Sequence, residues 1–116
     1  MTDSLNTDYA DVVNRVWQRQ IEFPQLLNYT DLLAVGGQRG LVAVLYRTWL
    51  QRHPGSSYNL FAWFNLGVVL FSDGDLEGAG QAYEQSLALS PGFVQSRFNL
   101  GLVRERQGQI DAAIAL

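Results

Sequence analysis

The chain of 116 residues has room for one domain, and its 47% of hydrophobic residues is enough to bury a core. Its formal net charge of −3 argues against nucleic acid or an anionic membrane surface as the main partner. The lack of cysteine excludes disulfides and thiolate metal sites. The N-terminus is polar and acidic, unlike a secretory signal, and the longest strongly apolar run, 66–71, is far shorter than the roughly 20 residues of a membrane span. We therefore expect a cytoplasmic protein with no membrane and no nucleic acid as partner.

Apolar residues recur at helical spacing between Asp8 and Phe23 and predict a first helix there. Residues 1–7, which precede it, are expected to form a frayed tail. Pro24 suits the first turn of the next helix, because that position needs no backbone N–H. Residues 1–24 are accordingly interpreted as a tail and a capping helix.

Two more helices are predicted between residues 25 and 53, separated at Gly36-Gly37 and closed by His53-Pro54-Gly55. The glycines of residues 36–40 resemble a phosphate-binding loop by composition only. The segment lacks the Lys-Ser/Thr pair that would hold phosphate and Mg²⁺. It is interpreted as a turn between helices.

A period of 34 residues governs the second half of the chain: Phe-Asn-Leu-Gly at 64–67 returns at 98–101, and Gly74 returns as Gly108. This period, with the order Trp, Leu-Gly, Gly, Ala, aromatic and Pro, is the pattern of the tetratricopeptide repeat. The chain resembles that family, with Leu70 (usually Tyr) and Ser86 (usually Ala) as mild departures. The pattern is filled by Trp63, Leu66, Gly67, Gly74, Ala79, Tyr83 and Pro91.

The resemblance implies an all-α fold of antiparallel helix pairs that stack into a right-handed alpha-alpha superhelix, a tetratricopeptide (TPR) solenoid, with about seven helices. Gly67 and Ala79 are expected to be small because two helices cross there, and Gly74 to adopt a positive φ before a cap at Asp75. The repeats are placed at 60–93 and 94–116. The second of them breaks at Gly108 and is truncated in its second helix.

Shifting this repeat back by 34 residues gives a weak match over 25–59. Leu33 then takes the place of the key glycine, Leu45 that of the small alanine, and Trp49 that of Tyr83. Residues 25–59 are either a degenerate repeat that packs less closely or a plain helical hairpin that caps the array.

The last residues of the chain would form an apolar face that nothing covers. A C-terminal cap helix is usually solubilised by charges, and this one is not, so the sequence is expected to be a fragment of a longer protein that can self-associate through the exposed helix. The apolar residues are Ile110, Ala113, Ile114 and Leu116.

The sequence offers no credible catalytic or metal site, so we expect neither an enzyme nor a cofactor in this chain. His53, the single histidine, stands where it can meet the last carbonyls of a helix. The carboxylate pairs Asp73/Asp75 and Asp3/Asp8 lie in a turn and a tail, where capping and solvation explain them.

What remains is a surface, and the resemblance implies that it is a concave groove for an extended peptide or partner protein. Asn65 and Asn99 hold equivalent positions in consecutive repeats, and each amide offers both a donor and an acceptor to a peptide backbone. Bonding within the helix pair, or inheritance from a duplicated repeat, is the alternative role for both. For the phenylalanines, packing between repeats is favoured. The candidate binding residues are Phe61, Phe64, Asn65, Val68 and Phe71, then Gln95, Phe98, Asn99 and Leu102, with Ser72, Glu105 and Arg106 beside them.

The Asn-Leu-Gly ladder is similar to the repeats of O-linked N-acetylglucosamine transferases, and residues 41–54 look like the N-terminal repeats of bacterial SPINDLY-type members. Two functions follow: an interaction scaffold, or the substrate-recruiting arm of a larger transferase whose catalytic domain lies outside this chain. Family members that clamp a terminal carboxylate use several Lys and Arg in the groove. Arg106 and the neighbouring Arg97 are too few for that mode.

Overall fold

The computed structural model describes the backbone of residues 2–115 and the side chains of residues 9–111 and 114. The predicted roles of Asp3, Asp8, Ala113 and Leu116 lie outside the described side chains. No strand occurs in the described backbone, so the all-α prediction is confirmed. The helices are α1 (Thr2–Trp17), α2 (Phe23–Val35), α3 (Arg39–Arg52), α4 (Asn59–Ser72), α5 (Leu76–Leu89) and α6 (Val94–Ala115).

The chain divides into two compact units, Met1–Ser56 and Ser57–Leu116. In the first unit, α2 and α3 run antiparallel: the hydroxyls of Thr30 and Tyr46 meet at 3.0 Å, and the rings of Phe23 and Trp49 lie 5.2 Å apart at the other end of the pair. The two helices therefore form an antiparallel hairpin over residues 23–52.

Helix α1 runs parallel to α3 in the same unit. The Tyr9 hydroxyl donates to the carbonyl of Leu41, and further along the Arg52 Nε donates to the carbonyl of Trp17 at 2.7 Å. The Arg52 guanidinium also lies over the Trp17 ring. These contacts, with buried Val12 and other side chains, attach α1 to α3.

The predicted limits of the first helix, Asp8 and Phe23, are wrong at both ends. Because neither Gly nor Pro interrupts residues 2–7, the helix extends back to Thr2. It ends at Trp17 because Arg19 adopts a left-handed φ of 60° and the N–H of Gln20 turns back to the carbonyl of Arg15.

The helix pair α2 and α3 precedes the pair α4 and α5 by 37 residues, so the predicted alignment at 34 is wrong for this region. Gly37 and Gly74 both end a helix with positive φ, 78° and 84°. Tyr46 contacts Thr30, and 37 positions later Tyr83 contacts Gly67. Leu32, the predicted counterpart of a core leucine, is 72% exposed, whereas Leu33 is 8% exposed.

The residues that lengthen the spacing from 34 to 37 lie in the link between α3 and α4. Pro54-Gly55 and Pro91-Gly92 are also 37 positions apart, but α4 begins later after the first of these pairs than α6 does after the second. Thr30 and Val42, not Leu33 and Leu45, therefore occupy the places of Gly67 and Ala79.

The second unit contains α4, α5 and α6. Helices α4 and α5 are antiparallel, and the Gly67 backbone lies directly against the Tyr83 ring, which confirms the predicted close approach at Gly67. The turn between them is also as predicted, since Gly74 has φ 84° and the Asp75 carboxylate accepts from the N–H of Gly78 at 2.9 Å.

A chain of buried hydroxyl groups joins the three helices of this unit. The Ser96 hydroxyl of α6 donates to that of Ser86 in α5 at 2.7 Å, and the Ser86 hydroxyl donates to the carbonyl of Leu60 in α4 at 2.9 Å. Both serines are fully buried. The departure from alanine at position 86 is therefore used to hydrogen-bond α6.

Helix α6 is continuous from Val94 to Ala115, so the predicted break at Gly108 and the predicted count of about seven helices are wrong. Gly108 does not have a positive φ. A continuous helix keeps the backbone hydrogen bonds across this position.

Candidate functional site

The face of α4 and α6 that points away from α5 carries a row of exposed apolar side chains. In both helices the residues buried against α5, such as Leu66 and Val103, lie on the opposite side. We call this surface the α4/α6 face. It is defined by Phe61 and Val68 of α4 and by Val94, Phe98 and Leu102 of α6, all of them exposed.

A cluster of three phenylalanines joins α4 to the start of α6. The ring of Phe93 stands edge-on to the rings of Phe61 and Phe64, at 5.6 Å and 5.4 Å. Phe64 also lies 5.9 Å from Tyr83, so its role is packing. Phe61 remains partly exposed, and Phe98 is 65% exposed.

Both asparagines of the predicted ladder already have an interaction partner. The Asn99 Nδ2 donates to the Tyr83 hydroxyl at 3.3 Å, and Asn65 is also in contact with its surroundings. Burial raises the pKa of the Tyr83 phenol, and the hydrogen bond from Asn99 partly opposes this rise. For Asn99 the geometry accords with the alternative of bonding within the helix bundle, although its carbonyl oxygen can still accept.

A shallow pocket of about 230 Å³ lies at one end of the α4/α6 face. Its floor is apolar and its rim carries one charge of each sign. The Arg106 guanidinium carbon lies 5.5 Å from the centre of the Phe71 ring, at cation–π distance. The lining residues are Phe71, Leu102, Glu105, Arg106 and Gln109.

The exposed row and the pocket present mainly apolar side chains. Within the described side chains there is no group of three His, Cys, Asp or Glu residues that could hold a metal. His53 caps α3, with its Nδ1 3.0 Å from the carbonyl of Trp49 and its ring stacked on Trp49, as the sequence predicts. Among the described residues, no helix is both long enough and apolar enough to cross a lipid bilayer.

Comparison with known proteins agrees with this geometry. Residues 67–108 match the family model described as TPR repeat. This segment holds the Gly67 close approach, the α4–α5 turn and most of α5 and α6. The chain carries a tetratricopeptide repeat. Such repeats generally mediate protein–protein interaction.

Three curated relatives are similar to most of the chain. It is 28% identical over 102 residues to tetratricopeptide repeat protein 8 of Caenorhabditis elegans, covering 88% of this chain and 20% of that protein. It is 31% identical over 96 residues to the peroxisomal targeting signal receptor of Kluyveromyces lactis, covering 83% and 16%. It is 37% identical over 83 residues to a photosystem I assembly protein of Acaryochloris marina, covering 71% and 39%.

The chain thus spans well under half the length of each of these relatives. They are named as a repeat protein, a receptor and an assembly protein, and none of the three names describes an enzyme. The predicted origin in a SPINDLY-type transferase is not shown by these relatives.

Some of the predicted binding residues are exposed in this repeat, and others are packed against neighbouring side chains. Phe64 packs in the aromatic cluster, Phe71 lies under Arg106, and Asn65 and Asn99 are half-buried. Those with exposed side chains are Phe61, Val68, Gln95, Phe98 and Leu102.

Two further exposed residues, Val94 and Asn28, were not among the predicted binding residues. Val94 is the most exposed member of the apolar row on α6, and its spacing of four from Phe98 was the available signal. Asn28 holds in α2 the position of Asn65 in α4, 37 residues earlier, and it is exposed. The alignment at 34 placed a different residue there.

Proposed function

We propose that this chain is a protein-interaction module whose α4/α6 face binds an extended peptide or a segment of a partner protein. The observation that carries the proposal is the row of exposed apolar side chains on this face, above all Phe98. Apolar surface with nearby polar groups is typical of recognition sites, and aromatic side chains dominate the affinity of such sites.

The asparagines would add hydrogen bonds to the peptide backbone. Asn65 and Asn99 lie 34 positions apart on the two parallel helices, and a backbone hydrogen bond contributes about 0.5–1.5 kcal/mol net. Because Asn99 also donates to Tyr83, the Asn65→Ala/Asn99→Ala variant should lose some stability as well as peptide affinity. Apolar residues are therefore the cleaner probes.

The proposal is tested with peptides that are selected, from a random library displayed on phage, for binding to this chain. Phe98→Ser should weaken the binding of the selected peptides about tenfold or more, measured by isothermal titration calorimetry, because a buried aromatic contact is worth at least about 1.4 kcal/mol.

The matched control is Leu89→Ser. Leu89 is similarly exposed, at 56% against 65% for Phe98, but lies at the end of α5. Its replacement should leave the affinity unchanged. Equal losses from both variants, or no loss from Phe98→Ser, would place the binding surface elsewhere.

Self-association is a second candidate, favoured by the exposed end of α6. Ile110 is 46% and Ile114 is 79% exposed, on the continuation of the stripe that packs Leu100 and Val103 against α5. A second copy of the chain is an available cover for this apolar surface.

Replacing both isoleucines by glutamine should shift the chain toward monomer in sedimentation equilibrium without lowering its melting temperature, since neither side chain is buried. The control variant is Leu32→Gln/Val35→Gln, which should leave the association unchanged. It removes two apolar residues of α2 that are 72% and 89% exposed. A wild-type chain that is already monomeric at high concentration would rule this candidate out.

The transferase-arm alternative has no observation of this structure in its favour and is not proposed.

A further inference from the structure

The pocket at the end of the α4/α6 face has room for one large side chain. Its volume of about 230 Å³ exceeds that of an apolar cavity of about 150 Å³, which is sufficient to hold benzene. Phe71 and Leu102 line it with carbon, and Leu102 belongs to the exposed apolar row. An aromatic or branched aliphatic side chain of a bound peptide would fit here.

Arg106 brings a positive charge to the rim of the pocket. Its guanidinium rests over the Phe71 ring, and no described carboxylate lies within ion-pair distance of it. By contrast, Arg104 is paired with Glu84 at 3.0 Å, and Arg97 donates to the carbonyl of Pro91. The N–H groups of Arg106 are therefore available to an acceptor from outside.

A guanidinium fork is matched in geometry by a carboxylate, and stacking on an aromatic ring orients the fork before a ligand arrives. Glu105 also lines the pocket and weakens the positive potential, but none of the described ring or hydrogen-bond contacts fixes its carboxylate. The stacked guanidinium of Arg106 thus favours a negatively charged ligand group beside it.

We propose that the occupant of this pocket is a peptide in which an aromatic or branched aliphatic residue stands next to Asp or Glu, with the apolar side chain in the pocket and the carboxylate on Arg106. The inference rests on the proposed peptide-binding function of the α4/α6 face and specifies its ligand.

The test uses short Gly/Ser host peptides with a central Phe-Glu, Phe-Gln, Phe-Lys or Gly-Glu pair, titrated into the ¹⁵N-labelled chain and followed by NMR. Phe-Glu should bind best, about three- to fivefold more tightly than Phe-Gln, as expected for one partly exposed ion pair. Gly-Glu should bind detectably more weakly than Phe-Glu, and Phe-Lys should bind weakest of the Phe peptides.

Arg106→Gln should abolish the preference for Phe-Glu over Phe-Gln. The matched control is Arg104→Gln, which removes an equal charge two residues away on the side paired with Glu84 and should keep the preference. Glu105→Gln should strengthen Phe-Glu binding. Unchanged circular dichroism and melting temperature would establish that these exposed changes leave the fold intact.

The inference is overturned if Phe-Lys binds best, if Arg104→Gln and Arg106→Gln act alike, or if no host peptide binds. The last result separates the two proposals: peptides selected from the library that still need Phe98 would keep the binding function and discard the acidic ligand. Failure of both experiments would discard both proposals.

Discussion

Replacing Gly67 by alanine should destabilise the second unit strongly, although alanine is the better helix former. A Cβ at this position would lie 2.5 Å from Cε1 and 2.8 Å from Cδ1 of Tyr83. The Tyr83 ring is 1% exposed and its hydroxyl accepts from Asn99, so the ring cannot swing aside freely. Overpacking of this kind costs about 1–3 kcal/mol, and leucine in place of alanine should cost more. The free energy of unfolding in urea measures the loss.

Gly101 provides the matched control, because it repeats Gly67 in the sequence and lies in a helix as well. A Cβ at Gly101 would meet no atom within 4 Å, so the recurrence of glycine there does not reflect a close approach in this structure. Gly101→Ala should therefore stabilise the chain by about 0.5–1 kcal/mol. If both substitutions change the free energy of unfolding in the same direction, the contact with Tyr83 does not limit the size of the residue at position 67.

The second large effect is expected for Leu45→Ala, which should destabilise the first unit by about 2–5 kcal/mol. The side chain of Leu45 is fully buried, and its removal leaves a cavity between α3 and its neighbours. The alignment at a period of 34 puts Leu45 in the place of the small alanine, in a repeat expected to pack less closely. The free energy of unfolding in urea measures the loss.

Val44→Ala is the control for this experiment. Val44 precedes Leu45 in the same helix but is 43% exposed, so its truncation removes few contacts and should change the free energy of unfolding by less than about 1 kcal/mol. A neutral or stabilising effect of Leu45→Ala would contradict the observed packing of α3.

The candidate site could be predicted from the sequence only as a set of positions. The helical period placed Phe61, Phe64 and Phe98 on one side of their helices, but it cannot tell which ring is packed. Phe93, which lies in a link and outside the helical pattern, decides this by covering Phe64 and part of Phe61. The pocket depends equally on a contact between helices, the stacking of Arg106 on Phe71.

The sequence by itself determined the all-α class, the tetratricopeptide pattern, the turn at Gly74 and the cap at Asp75, because these depend on residues close together in the chain. Only the tertiary structure decided the spacing of the first helix pair, since extra residues in a link shift the alignment without altering any local pattern. The tertiary structure also decided that α6 continues through Gly108, because a glycine is compatible with both a turn and a helix and the local sequence does not choose between them.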